Sequence, residues 1–96
     1  LEQQKERDMR YRTRTKIISV ILETANGGNA TRTKIMYKAL ISYGQSKEYL
    51  RMLTESDLLS YNSDTRTFKT TEKGLRFLDT CNQMDGMIKE EQQQQI

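Results

Sequence analysis

Two helical segments with almost no chain between them constrain this sequence more than any other feature. In Arg32–Leu40 (RTKIMYKAL), Ile35, Met36, Ala39 and Leu40 recur at helical spacing, and Thr31 stands where an N-cap belongs. The next helix begins at Ser42, because Ser42 and Gln45 have the S-x-x-Q spacing of a capping box. In that box the hydroxyl accepts from the backbone N–H of the Gln, whose side chain reaches back. This helix runs to Glu55 with Ser46, Tyr49, Leu50 and Leu53 on one face. Only Ile41-Ser42-Tyr43 intervenes, and two short helices joined by so brief a turn form a helix-turn-helix.

The flanking segments complete the element order. Upstream, Thr15–Ala25 (TKIISVILETA) places Ile17, Val20, Ile21, Thr24 and Ala25 on one helical face, widened by Ile18 and Leu22. It stops at Asn26-Gly27-Gly28-Asn29, where glycine takes the left-handed conformation that ends helices, and Asn29-Ala30 follows as a very short strand. Downstream of Glu55 the period changes from 3.6 to 2. Leu58–Tyr61 and Thr67–Thr70 read as strands around the turn-rich tip Asn62–Arg66. Thr70 or Thr71 then caps a last helix in which Phe77, Cys81, Met84 and Ile88 follow the a/d spacing of a two-stranded seam. Leu75 and Leu78 lie beside that stripe, placed to pack on the domain; Gly86 interrupts it and Gln92–Gln95 end it as a low-complexity tail.

Composition excludes several classes of function. Ninety-six residues, 34% of them hydrophobic, make one small domain without room for a large enzyme core and deep cleft. With 0 His and 1 Cys the chain lacks the usual general base, a metal-ligand cluster and an intramolecular disulfide framework. No Gly-rich phosphate loop or nucleophile–base pair appears, so the expectation is no enzyme, no cofactor, no metal and no small-molecule ligand. No apolar run approaches a membrane span, and the charged opening is not followed by the apolar core of a signal peptide, so no membrane association is expected. A chain starting at Leu1 reads as trimmed, and the expected location is the cytoplasm, on the nucleoid.

The net charge of +3 conceals a division. Leu1 to Arg51 carries eleven Lys/Arg against five Asp/Glu; Met52 to Ile96 carries five against eight. Within the basic half, Arg10, Arg12, Arg14 and Lys16 form one run, and Arg32, Lys34, Lys38, Lys47 and Arg51 form a second opposed only by Glu48. Basic residues gathered this way suit a polyanion, because Lys and Arg at phosphates release condensed counterions. The alternative for Arg10–Lys16 is an ordinary solvated helix surface.

Helix, tiny strand, helix, turn, helix, hairpin, helix is the order of a winged helix-turn-helix, mainly α with a small β-hairpin. The expected division is 13–79 for the domain and 80–96 for the extension of its last helix. The run ATRTKIMYKALISYGQSKEYLRMLTESDLLSY, followed by FKTTEKGLRFL, resembles the archaeal winged-helix family that includes the ten-kilodalton dimeric chromatin proteins and many small transcription regulators. The resemblance covers about Thr15 to Leu78. It implies a long last helix forming an antiparallel coiled coil between two protomers. The sequence departs from that pattern in a short seam, broken by Gly86, and in Ser46 where the family often has a larger apolar residue.

In this architecture the third helix enters the major groove, the second crosses the backbone and the hairpin tip touches backbone or minor groove. The candidate DNA-binding residues are therefore Arg32, Lys34 and Lys38 on the second helix, Tyr43, Gln45, Lys47 and Arg51 on the third, and Arg66 at the tip. Gln45 has a competing role in the cap, Arg66 has Asp64 beside it as an alternative partner, and Tyr49 reads as core. The candidate dimer interface is Phe77, Cys81, Met84 and Ile88, with Cys81 a packed small hydrophobe. The expected function is non-enzymatic binding of double-stranded DNA by a homodimer, as a regulator or a chromatin protein. The alternative is a winged-helix module that binds protein without DNA, using the Phe77–Ile88 stripe.

Overall fold

The computed structural model describes residues 13–95, with their side chains as far as Gln83. Arg10, Arg12, any continuation of the first helix through Met9 and Tyr11, and the side chains of Met84 and Ile88 lie outside the described residues. Helix α1 is Arg14–Ala25, started by Thr13, whose hydroxyl accepts from the Lys16 N–H at 3.1 Å. It buries Ser19, Ile21, Leu22 and Ala25, and Gly27 and Gly28 turn the chain with φ of 91° and 93°. The carbonyls at its C-terminal end find separate partners: Leu22 accepts from the Thr70 hydroxyl at 2.6 Å, Glu23 from the Asn26 N–H and Ala25 from the Gly28 N–H.

Helix α2 is Arg32–Ala39, with the Thr31 hydroxyl accepting from the Lys34 N–H at 3.2 Å. It stops one residue before the sequence pattern does. Leu40 takes the left-handed conformation at φ 56°, its N–H and that of Ile41 both donating to the Met36 carbonyl. That geometry swings Leu40 outward to 52% exposure and puts Ile41 into the core instead, correcting the expected place of Leu40 on the buried face. Helix α3, Tyr43–Glu55, begins with the expected capping box: Gln45 N–H to Ser42 Oγ at 3.1 Å and Ser42 N–H to Gln45 Oε1 at 3.0 Å. Ser46 is fully buried, and its hydroxyl donates to the Tyr43 carbonyl at 2.6 Å, so the small polar residue leaves no unsatisfied group.

Strands β1, Leu59–Asn62, and β2, Thr67–Thr70, pair antiparallel with Leu59 opposite Thr70 and Tyr61 opposite Phe68. β1 starts and ends one residue later than expected because Leu58 closes the preceding helix, its N–H donating to the Leu53 carbonyl at 2.9 Å. The expected tiny strand is a single bridge in which Ala30 and Phe68 exchange both backbone hydrogen bonds.

Helix α4, Glu72–Gln95, is fastened to the end of α3 at its first turn. The Thr71 hydroxyl accepts from the Gly74 N–H and donates to the Asp57 carbonyl, the Thr71 N–H donates to the Leu58 carbonyl, and Lys73 Nζ donates to the Ser56 carbonyl. Gly74 is packed so closely on this turn that a Cβ there would overlap the Leu58 carbonyl oxygen and stand 2.7 Å from Thr70 Cγ2. The core gathers Ile21, Leu22, Ile35, Leu53, Leu59 and Phe68 from every earlier element, with Leu78 of α4 closing it. Leu75, expected beside it, is instead exposed on the outer side of α4.

Candidate nucleic-acid interface

The brief turn and its capping box fix the start of α3, so the residues of its first turns have set positions. Ser46, Leu50 and Leu53 face the core; Tyr43, Gly44, Lys47, Glu48 and Arg51 face out. Lys47 and Arg51, four residues apart, share one side of the helix. Tyr43 stands 55% exposed at the first position of α3 and gathers cations. Lys47 Nζ lies 5.7 Å from its ring centroid, and the Arg32 guanidinium lies 5.4 Å from the same centroid. Arg32 Nη1 also donates to the Tyr43 hydroxyl at 3.3 Å. Cation–ring contacts at exposed sites contribute about 0.5–1 kcal/mol each, enough to orient side chains that would otherwise sample many rotamers.

Arg32 therefore joins α3, although it belongs to α2. Lys34 and Lys38 do not join it. At about 100° per residue they lie about 200° and 240° around α2 from Arg32, and both are exposed. The three bases that look like one set in the sequence serve two sides of one helix. Gln45 is exposed, but its Oε1 is held by the Ser42 N–H in the cap. Arg66 sits at the hairpin tip with φ 57°, after a turn in which Asn62 Oδ1 accepts from the Asp64 N–H at 2.9 Å. The turn chemistry holds the tip in shape and leaves Arg66 exposed.

Electrostatics of the helix ends run against stability and toward an anion. Helix N-termini carry partial positive charge and favour acidic side chains. The first turns of α1, α2 and α3 contain no acid, and those of α1 and α2 carry Arg14, Lys16, Arg32 and Lys34. Arg14 leans across to α3, its guanidinium 5.4 Å from the Tyr49 ring centroid and its Nη2 3.5 Å from Met52 Sδ. Tyr49 is half-buried against the core, as its place in the stripe implied.

Between α3 and the hairpin lies an open cleft of about 680 Å³. Arg32, Lys47, Glu48 and Arg51 stand around it, with Leu50, Tyr61 and Phe68 also lining it. Sequence reasoning missed Tyr61 and Thr54 as parts of this surface. The signal for Tyr61 was its place opposite Phe68 across the hairpin, where the two rings pack with centroids 4.8 Å apart.

On α4, Phe77 packs partly buried against the core and Cys81 is only 6% exposed within the single chain. The described half of the expected seam is thus already in contact with its own domain. Among the described residues no helix is long and apolar enough to cross a membrane.

The geometry agrees with comparisons against known proteins. No curated protein matches the chain. A solved structure of Sso10a-2, a DNA-binding protein from Sulfolobus solfataricus, superimposes with a TM-score of 0.75 at 21% identity, covering 88% of this chain and 90% of that one. The family model for the winged helix-turn-helix matches residues 11–89, which takes in the first helix, the turn, the hairpin and most of α4. With the Thr31 and Ser42 caps, the two-stranded wing and that match in agreement, the chain belongs to the winged helix-turn-helix family.

Proposed function

We propose that this protein binds double-stranded DNA without catalysing a reaction, with α3 in the major groove and the hairpin tip against the backbone. The observation that carries the reading is the outward face of α3, where Lys47 and Arg51 stand beside Arg32 and Tyr43 with Glu48 as the single acid among them. Lys34 and Lys38 supply phosphate contacts from the solvent side of α2, and Arg66 supplies one from the wing. Arg51 is the residue assigned to base readout, since a guanidinium pairs bidentately with guanine. Gln45 contributes through its amide nitrogen at most, its Oε1 being committed to the cap. The description of the similar Sulfolobus solfataricus protein as DNA-binding supports the same reading.

The protein acts as a homodimer through the outer part of α4, a helix that runs 24 residues. As a transcription regulator or a small chromatin protein it works on the nucleoid. A duplex titration across a salt series tests the binding. Six to ten phosphate contacts would lower affinity by about 10³–10⁵ between 50 and 200 mM salt. Affinity unchanged over that range, or no binding at low salt, refutes the proposal. Selection from random duplexes at two salt concentrations then separates a regulator, which enriches one motif, from a general coating protein, which enriches none.

A further inference from the structure

The cleft between α3 and the hairpin has the features of a ligand site as well as of a groove edge. Its volume, about 680 Å³, lies within the range of small-molecule pockets. Three cations, Arg32, Lys47 and Arg51, and one acid, Glu48, line it, and Leu50, Tyr61 and Phe68 supply apolar and aromatic surface. Tyr61 and Phe68 are in contact with each other, and Tyr61 remains 50% exposed. The second observation is independent of the cavity. Arg32 Nε is buried and meets no hydrogen-bond acceptor, while Nη1 of the same guanidinium is held by the Tyr43 hydroxyl. A buried donor without an acceptor is costly, so the chain alone leaves the hydrogen bonding of this guanidinium incomplete. Held by Tyr43, the guanidinium is already oriented, so little rotamer freedom is lost when an anion arrives.

We propose that this cleft binds a planar aromatic anion, its ring against Tyr61 and Phe68 and its carboxylate or phosphate on Arg32 with Lys47 or Arg51. Because Lys47 and Arg51 are also the groups assigned to DNA, the ligand and duplex exclude one another, a consequence that rests on the proposed function; binding of the ligand itself does not. The class covers aromatic carboxylates and nucleoside monophosphates, which share a flat ring and a charged group.

The test uses the full chain with 2-naphthoate and adenosine monophosphate as probes and acetate and 2-acetylnaphthalene as controls carrying charge or ring alone. Calorimetry measures affinity, and amide NMR shifts locate the site. At least one probe should bind saturably, shifting Gly44, Thr54 and Tyr61, while neither control does. Arg32→Gln should weaken binding by about tenfold or more, as should Tyr61→Ala, with the fold of each variant verified by its amide spectrum. The proposal is overturned if neither probe saturates at millimolar concentration, if shifts fall elsewhere, or if a folded Arg32→Gln variant binds unchanged. Which probe binds distinguishes carboxylate from nucleotide. Ligand binding without any duplex binding would keep the site and remove the DNA reading; duplex binding with no ligand binding would do the reverse.

Discussion

Gly74→Ala should destabilise the domain by about 1–2 kcal/mol, while Gly44→Ala should leave it as stable or make it more so. Both glycines lie in helices, where alanine is favoured by up to about 1 kcal/mol. The difference comes from what the new methyl group meets. At position 44 nothing lies within 4 Å. At position 74 the methyl overlaps the Leu58 carbonyl oxygen and stands 2.7 Å from Thr70 Cγ2 and 3.2 Å from the Leu58 carbonyl carbon. Leu58 cannot withdraw easily, because its N–H is bonded to the Leu53 carbonyl at 2.9 Å and its carbonyl accepts from Thr71 at 3.1 Å. Thr70 is fixed by its hydrogen bond to Leu22. Relieving the overlap by moving α4 therefore strains the fastening of α4 to α3, which puts the overpacking cost near the upper end of its usual range, about 2–3 kcal/mol. Subtracting the helix preference leaves about 1–2 kcal/mol, or a melting point lower by about 4–16 °C for a domain of this size. Thermal melts followed by circular dichroism, with urea titrations of both variants, provide the check. A Gly74→Ala protein as stable as the parent would show that α4 docks on this turn less closely than described.

Three further perturbations address separate parts of the account. Thr70→Val keeps the shape of a buried side chain but leaves the Leu22 carbonyl without its hydroxyl donor, and should cost about 1–3 kcal/mol in urea unfolding; a neutral result would mean that the contact does not hold β2 to α1. Ser42→Ala removes one half of the capping box and should cost about 0.5–2 kcal/mol, and Gln45→Ala should cost less because it leaves the hydroxyl bond intact; the opposite ranking would contradict the cap assignment. Ile88→Glu should convert the proposed dimer to a monomer in sedimentation equilibrium, and an unchanged mass in both proteins would dispose of the seam.

The parts legible in the sequence are those governed by local rules. Thr31, the Ser42–Gln45 box and the Gly27-Gly28 pair mark helix ends by their own side-chain or backbone chemistry, and the structure has ends at each. The misjudged positions depend on conformations that residue type does not reveal. Leu40 adopts positive φ without being glycine, and thereby leaves the apolar face that its spacing assigns to it. Leu58 looks like the first residue of a strand but serves as the closing turn of α3, since its partners, Leu53 and Thr71, lie on either side of it in sequence. The candidate site was half legible. Lys47 and Arg51 follow from helical spacing alone, and so does the separation of Arg32 from Lys34 and Lys38 around α2, whereas the union of Arg32 with Tyr43 exists only once α2 and α3 cross.

The central claim is that the outward face of α3 holds DNA, and the most direct measurement compares two charge-matched double variants in mobility-shift titrations on one duplex. Lys47→Ala with Arg51→Ala removes two cations from that face; Arg76→Ala with Lys89→Ala removes two from α4. The lost Lys47 phosphate contact would reduce the slope of log affinity against log salt by about 0.9, and the lost Arg51 base contact would add about 1–3 kcal/mol. The α3 pair should weaken binding by at least about tenfold more than the α4 pair, with both proteins folded. Equal effects of the two pairs would contradict that claim.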